Sequence, residues 1–512
     1  MARGTQRLIF VALKVLAVAL ALVLMVVIIR TATFPSYQTS PPECKPTDPD
    51  FIPADQDRLA RFTSAIRFRT VSYERGVGTP QELSRFIQFI RESFPTIHGS
   101  PLVRRQVVGN YSLLYRVAGS DASLQPYMLA SHLDVVPATE EANWEAPPFS
   151  GQLKDGYIYG RGTIDIKHTL MGCLEAVEFL LSRGRQPKRT LYLAFGHDEE
   201  TGGHFGAKVI ADVLTQQGEK MAFILDEGTP VGDGLLPGVS KQVALISVAE
   251  KGGLQLRLEV DEEGGHASIP RSESAIGILS KAISKLEDSP HPNMFGTGPE
   301  TRMLEYVATE MTLPYRMLTS NLWLFSPLVA WVYSRKPQTN ALARTTTALT
   351  RFNAGVKDNV ISPRATAVID HRIHPTSSVE EVMEFDLKVV NDPRVKFSVI
   401  NSRQPSPTSP YGKDSPTYML LQETIQQIFP DALVAPTTMV GNTDTLYYWN
   451  LSSAIYRFNP CVMTSSDLPR FHGVNERISV KSYERAMNFY YHLIVNMDEP
   501  LILKRYRHED DL

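Results

Sequence analysis

Three short apolar runs in this chain stop abruptly at acidic or imidazole side chains. Tyr127-Met-Leu-Ala-Ser leads into His132-Leu-Asp134. Leu191-Tyr-Leu-Ala-Phe passes through one glycine into His197-Asp-Glu199-Glu200, and Met221-Ala-Phe-Ile-Leu leads into Asp226-Glu227. Apolar runs of about five residues without alternation predict strands buried on both faces of a parallel sheet. In open α/β sheets the ligand site lies beyond the carboxyl ends of such strands. Three strands are therefore expected to deliver His, Asp and Glu to one place, a donor set that suits zinc.

Elsewhere the period changes. Residues 55–94 predict two amphipathic helices around an exposed loop, and Gln81 to Ile90 carries apolar spacing near 3.6. Strand and helix signals alternate to about Val248, with a helix from His168 to Leu181 directly after Asp165. From about Gly252 the texture shifts. Leu254 to Val260 and Thr366 to Ile373 alternate, and Ser274 to Leu286 reads as an amphipathic helix. Alternating strands with helices predict an antiparallel sheet covered on one face.

The expected fold class is thus α/β, a mixed and largely parallel sheet, plus an inserted α+β lid domain with an antiparallel sheet. The expected organisation is a signal peptide or signal anchor over 1–30, a linker over 31–54, and the main domain in two parts, 55–251 and 375–505. The lid occupies 252–374 between them, and a charged tail closes the chain at 506–512. One run inside the insert, Leu322 to Tyr333, is strongly apolar and aromatic. It reads as core of the inserted domain, as the wall of an apolar substrate pocket, or as a lip that touches membrane.

The N-terminus narrows the compartment. Leu8 to Ile29 is apolar apart from Lys14, with Arg3 and Arg7 ahead of it. The segment fits a signal peptide, or a bilayer span with Lys14 reaching for the headgroups. Either reading sends the body into the secretory pathway: secreted, or held by a single-pass anchor with the body lumenal or extracellular. The sequons Asn110-Tyr-Ser and Asn450-Leu-Ser agree with that.

A net charge of −3 without a basic stripe argues against a nucleic-acid partner. Three cysteines, Cys44, Cys173 and Cys461, make neither a disulfide framework nor a thiolate zinc site, although Cys44 and Cys461 are free to pair.

The motifs fall in a telling order. His132-Leu-Asp134 is followed by Gly160-Arg-Gly-Thr-Ile-Asp165-Ile-Lys167, His197-Asp-Glu199-Glu200 and Asp226-Glu227-Gly228. Gly264-Gly-His266-Ala-Ser, Asn359-Val-Ile-Ser-Pro and His371-Arg372 lie in the insert. Gly441-Asn-Thr-Asp-Thr and Phe471-His472-Gly-Val-Asn-Glu476 close the series. Together they resemble the di-zinc aminoacylase/carboxypeptidase family of carnosinases, desuccinylases and glutamate carboxypeptidases, over about residues 55–495. The strings His-Asp-Glu-Glu, Thr339 to Thr350, Gly-Asn-Thr-Asp and His-Gly-Val-Asn-Glu resemble its secreted N-fatty-acyl-amino-acid synthase/hydrolase branch.

The resemblance implies a zinc-peptidase-like catalytic domain with two zinc ions per chain. His132 and Asp226 would hold the first, Glu200 and His472 the second, and Asp165 would bridge them. Asp134 would accept the second N–H of the His132 ring. Glu199 would serve as general base and acid toward water and the leaving amine. His266 would face the oxyanion, Arg372 would grip a free carboxylate, and Asn359 would touch substrate from the lid. Read without the resemblance, the His266 motif is also an ordinary turn, and Arg372 a solvated strand residue. One position departs from the pattern: many relatives carry a second Asp where this chain has Ile166. Metal binding is expected to survive that change.

Three functions compete. The first is a zinc-dependent amidohydrolase that reversibly hydrolyses and synthesises N-fatty-acyl amino acids from fatty acids and amino acids. The second is an exported or anchored metallocarboxypeptidase resembling carboxypeptidase S that trims short peptides. The third is a non-catalytic binding protein, which the intact ligand and base positions argue against. Expected partners are the small-molecule substrate, a lipid or lipoprotein surface, and a second copy paired through the lid.

Overall fold

The computed structural model describes residues 2–498, so the tail expected at 506–512 lies outside the described residues. An eight-stranded sheet forms the centre. Its spatial order is Val103–Val108, Ser112–Val117, Leu191–Gly196, Tyr127–His132, Ile224–Asp233, Ile455–Thr464, Val243–Glu250 and Leu433–Met439. Tyr127–His132 runs parallel to both its neighbours, and Ile455–Thr464 runs parallel to Ile224–Asp233. Antiparallel pairs at Val103–Val117 and around Val243–Glu250 make the sheet mixed. Every residue of Tyr127–His132 and Leu191–Gly196 is buried, as unbroken apolar runs require of strands covered on both faces. The helices Lys167–Ser182 and Val480–Asp498 pack against each other over this sheet.

The third apolar run behaves differently from its reading. Its strand starts only at Ile224 and continues through Asp226-Glu227 to Asp233. Opposite it, Arg457 pairs with Asp226 and Phe458 with Thr229, so Glu227 and Gly228 form a bulge. Bulges re-aim side chains beside active sites. Gly228 is required there, because a Cβ would overlap the Arg457 backbone.

A second, antiparallel sheet has the order Thr346–Ala354, Arg364–Ile373, Gly252–Asp261, Lys396–Arg403. The helices Ala275–Asp288 and Val379–Val390 cover one face with an apolar core of their own. Ser274 caps the first helix, and a Ser378/Glu381 capping box starts the second.

Two parts of this layer differ from the expected 252–374 insert. Its fourth strand and second helix come from beyond residue 374: Lys396–Arg403 pairs with Gly252–Asp261 as an exposed edge strand. Conversely, helices Glu300–Val307 and Leu322–Tyr333 give Met303, Leu304, Leu322, Val329 and Tyr333 to the large core under the main sheet. The aromatic run is therefore not core of the antiparallel layer.

A three-stranded clip, Arg477–Ser479 beside Tyr157–Tyr159 beside Gln152–Lys154, ties the end of the chain to the loop before Asp165. All three cysteines are free, so Cys44 and Cys461 do not pair.

Candidate metal centre and cleft

His132 ends the central strand, Asp165 sits in the loop after the clip, and His472 follows the last sheet strand. The three meet. Asp165 turns one carboxylate oxygen to each ring: Oδ1 lies 3.2 Å from His132 Nε2, and Oδ2 lies 2.9 Å from His472 Nε2. Glu200 Oε2 is 3.5 Å from His472 Nε2, and Glu227 Oε2 is 3.6 Å from His132 Nε2. Donor atoms of His132, Asp165 and Glu227, of His132, Glu199 and Glu200, and of Asp165, Glu200 and His472 each lie within 4.8 Å of one another. The trios overlap: His132, Asp165 and Glu200 each belong to two of them.

Asp226 takes a different place from the others. Its Oδ1 accepts the Glu227 backbone N–H at 2.8 Å, while its buried Oδ2 has no hydrogen-bond partner. Glu227, to which the sequence reading gave no ligand role, is the residue of this pair that faces His132. The bulge that turns it there carries no sequence signal beyond the glycine after it.

Asp134 also works differently from its reading. The His132 Nδ1 partner at 2.9 Å is the Asp134 carbonyl oxygen, with the carboxylate at 3.4 Å. The Asp134 carboxylate instead accepts the backbone N–H groups of Glu199 and Glu200, each at 3.2 Å. It thereby fixes the turn that presents both glutamates. A further carboxylate, Asp444 from the Gly441-Asn-Thr-Asp motif, lies buried at the cleft edge against Gly196, where a Cβ would come within 2.6 Å of its Oδ2.

The electrostatics are those of an anionic pocket. Burial raises Glu199 and Glu200 well above the usual carboxylate range, and neighbouring Glu227 and Asp165 push them further. Burial lifts Asp226 to about 6 and Glu227 to about 8. Burial pulls His132 down, but Glu227, Asp134 and Asp165 outweigh it and hold the imidazole well above its ordinary value. Asp165 is lowered, because hydrogen bonds to both imidazoles overcome its burial. Crowded, desolvated carboxylates with buried oxygens left unpartnered, at Glu200 Oε1 and Asp226 Oδ2, fit dications.

This arrangement predicts an unusual pH response for the metal-free protein. Carboxyls with raised folded pKa values bind protons that the unfolded chain releases, so folding stability falls as pH rises. Asp226 and Glu227 place the loss between the unfolded carboxylate range and about 8. The melting temperature of chelated protein should drop as pH is raised from about 5 to 8, and zinc should restore more of it at the higher pH. A flat or rising profile for the chelated protein would contradict this account of the pocket.

The cleft around these groups has a volume of about 980 Å³, and its lining also includes Arg372, Arg403 and Asn442. Arg372 donates to Asp370 Oδ1 at 3.0 Å and to Asn442 Oδ1, so its guanidinium is held rather than loose. His266 and Asn359 do not border the cleft. His266 pairs with Val360 on a two-stranded ribbon, and just beyond it the Ala267 N–H donates to the Asn359 carbonyl at 3.1 Å. The Gly252–Asp261 strand touches the cleft at Gly253 to Gln255, and the ribbon follows its opposite end. At about 3.3 Å per residue that end is roughly 20 Å away. The Leu322–Tyr333 helix does not line this cleft; its Ser326, Pro327, Ala330 and Trp331 line a separate, smaller cavity with Asn293 and Phe295.

Residues 128–496 match the family described as Peptidase family M20/M25/M40. The chain is 45% identical over 482 residues to N-fatty-acyl-amino acid synthase/hydrolase PM20D1 of Xenopus tropicalis, covering 94% of each chain. It is 44% identical over 492 residues to Probable carboxypeptidase S-like 2 of Dictyostelium discoideum, covering 94% of this chain and 93% of that one. Among solved structures it resembles the M20 family metallo-carboxypeptidase Sso-CP2 of Sulfolobus solfataricus, with a TM-score of 0.64 at 17% identity, over 87% of this chain and 99% of that one.

Proposed function

Since this chain belongs to peptidase family M20/M25/M40, we propose that its cleft hydrolyses, and in reverse forms, the amide bond between a fatty acid and an amino acid. It is a metal-dependent amidohydrolase. Support for the fatty-acyl substrate comes from the relative named for that activity, which is 45% identical over 94% of both chains. The observation that carries the chemistry is the Asp165 carboxylate set between His132 and His472, with Glu199 and Glu200 beside it.

In this reading His132, Asp165, Glu200, Asp226 and His472 would hold two zinc ions, with Asp165 shared between them. Glu227 stands against His132 as a further donor. When bound, two zinc ions supply the Lewis acidity that polarises the amide carbonyl and acidifies the attacking water. Glu199 receives the proton as the water oxygen bonds to the carbonyl carbon. It then delivers that proton to the amide nitrogen as the C–N bond breaks, leaving a fatty acid and an amino acid. A carboxyl already raised by burial and by Glu227 is suited to hold a proton between those two moments. Asp134 keeps Glu199 in place through its backbone N–H. Arg372 and Arg403, which line the cleft, meet the substrate carboxylate.

His266 and Asn359 lie too far from the cleft of their own chain to act there, so their proposed roles require a second copy docked through the lid. Secretion or retention by the N-terminal apolar helix, with contact to a lipid surface, completes the proposal.

The competing reading, trimming of short peptides, draws on the Dictyostelium relative named for carboxypeptidase S. Zinc-loaded protein should release amino acid from an N-oleoyl amino acid at least about tenfold faster than from a blocked dipeptide, a difference of about 1.4 kcal/mol in barrier. It should also condense oleate with free amino acid. Faster cleavage of the dipeptide would favour the peptidase, and no amino acid release from the acyl substrate would reject the fatty-acyl reading.

A further inference from the structure

The helix Leu322–Tyr333 contains no charged residue and presents two unlike sides. Leu322, Val329 and Tyr333 are buried against the main core. Trp323, Leu324, Leu328, Trp331 and Val332 are exposed, with the two tryptophans 55% and 56% accessible. Positions 323, 324, 328, 331 and 332 recur at helical spacing, so these side chains form one continuous stripe. Twelve residues make it about 18 Å long. Exposed apolar and aromatic surface of this kind marks an interaction site.

The neighbour of this stripe identifies its occupant. The helix Ala2–Thr33 is apolar and long enough to cross a bilayer over Gln6–Thr33, and only 6% of its most apolar window is buried. Its carboxyl end is fastened to the residues that begin the striped helix. Asn321, itself fully buried, donates to the Val27 carbonyl at 3.3 Å and to Thr31 Oγ1 at 3.0 Å, and Arg30 Nε donates to the Ser320 carbonyl at 2.8 Å. The spanning segment thus meets the body within one turn of its apolar end, with no free linker between them. Arg335 stacks on Trp331 at 4.5 Å and, with exposed Lys336, puts positive charge at the other end of the stripe. Tryptophan with flanking cations is the side-chain set of a bilayer interface.

We infer that the Leu322–Tyr333 stripe lies in the headgroup zone of the bilayer that the N-terminal helix spans, so that two elements seat the body on the membrane. The inference rests on that helix being retained as an anchor, not on the identity of the substrate. It would set the cleft beside the phase into which fatty acyl chains partition.

The sequence supplies a selective reporter. The chain has four tryptophans, Trp144, Trp323, Trp331 and Trp449, and none lies in the N-terminal helix. The full chain is reconstituted into phosphatidylcholine/phosphatidylglycerol vesicles whose acyl chains carry bromine near the headgroup, a short-range quencher of indole emission. The expected result is co-flotation with the vesicles and loss of at least a quarter of the emission relative to plain lipid. A Trp323→Phe/Trp331→Phe double variant, which keeps the stripe apolar, should co-float without that loss. Co-flotation with no quenching of the natural chain, or equal quenching of the double variant, would overturn the inference. Failure to float would overturn it together with the anchor. Disulfide-linked dimers of a Trp331→Cys chain, with no quenching of the natural chain, would assign the stripe to a second copy instead. None of these readouts depends on catalysis, so they stand apart from the substrate test.

Discussion

Replacing Glu199 by Gln should lower amide hydrolysis by about 10²- to 10⁴-fold while leaving the bound metal in place. The substitution keeps the shape of the side chain and the backbone bond from Glu199 to Asp134. It removes only the group that can take and return a proton. Glu200, one residue on, is the carboxylate that approaches His472, and the proposed ligand set does not include Glu199. Turnover of an N-acyl amino acid and zinc content by elemental analysis, measured on the same preparation, separate the two roles. Near-normal turnover would remove Glu199 as the base. Lost activity together with lost zinc would make it a ligand.

The second large effect is expected away from the reacting atoms. Glu476 is fully buried, and its Oε2 accepts from Arg161 Nη1 at 2.6 Å. Its Oε1 accepts the backbone N–H groups of Gly162, Ile164 and Asp165 at 3.0, 2.7 and 3.2 Å. Arg161 in turn donates through Nη2 to the carbonyls of His472 and Gly473 at 3.0 and 3.1 Å. One ion pair therefore sets the backbone under both Asp165 and His472. Glu476→Ala leaves a buried guanidinium unpaired, which costs about 3–5 kcal/mol in such sites, and frees the Asp165 loop. The expected outcome is a lower urea midpoint together with weaker zinc binding. Glu476→Gln, which retains an acceptor for the loop, should recover part of the zinc affinity. A variant with unchanged midpoint and unchanged zinc affinity would show that the pair holds neither loop.

The parts of this molecule that were legible in its sequence are those where one local pattern decides the outcome. Tyr127–His132 and Leu191–Gly196 are unbroken apolar runs, and both became buried central strands with polar residues at their ends. Gly252–Asp261 alternates, and its burial alternates with it. What stayed hidden depends on pairing between distant segments. The Glu227 bulge exists only in register with Arg457. The edge strand Lys396–Arg403 joins its sheet through backbone bonds that any side chains permit. Asp134 was expected at the His132 ring, and besides lying near that ring it holds the Glu199-Glu200 turn, a contact set by the adjacent strand. His266 was assigned by its motif, while its separation from the cleft follows from the length of the strand before it. The aromatic run had three readings from composition alone. Core membership, the lining of the cleft and the position of the N-terminal helix beside Asn321, none of them local to the run, bear on which reading applies.

The clip between Tyr157–Tyr159 and Arg477–Ser479, with the Arg161–Glu476 pair beside it, joins segments more than 300 positions apart. A polypeptide leaving the ribosome from its amino end cannot close that seam until residue 477 has emerged. Until then His132, Asp165, Glu200 and Asp226 lack His472, the last of the five proposed ligands. Completion of the proposed ligand set is thereby deferred to the end of synthesis, and a translation product interrupted before this point would lack one of its ligands.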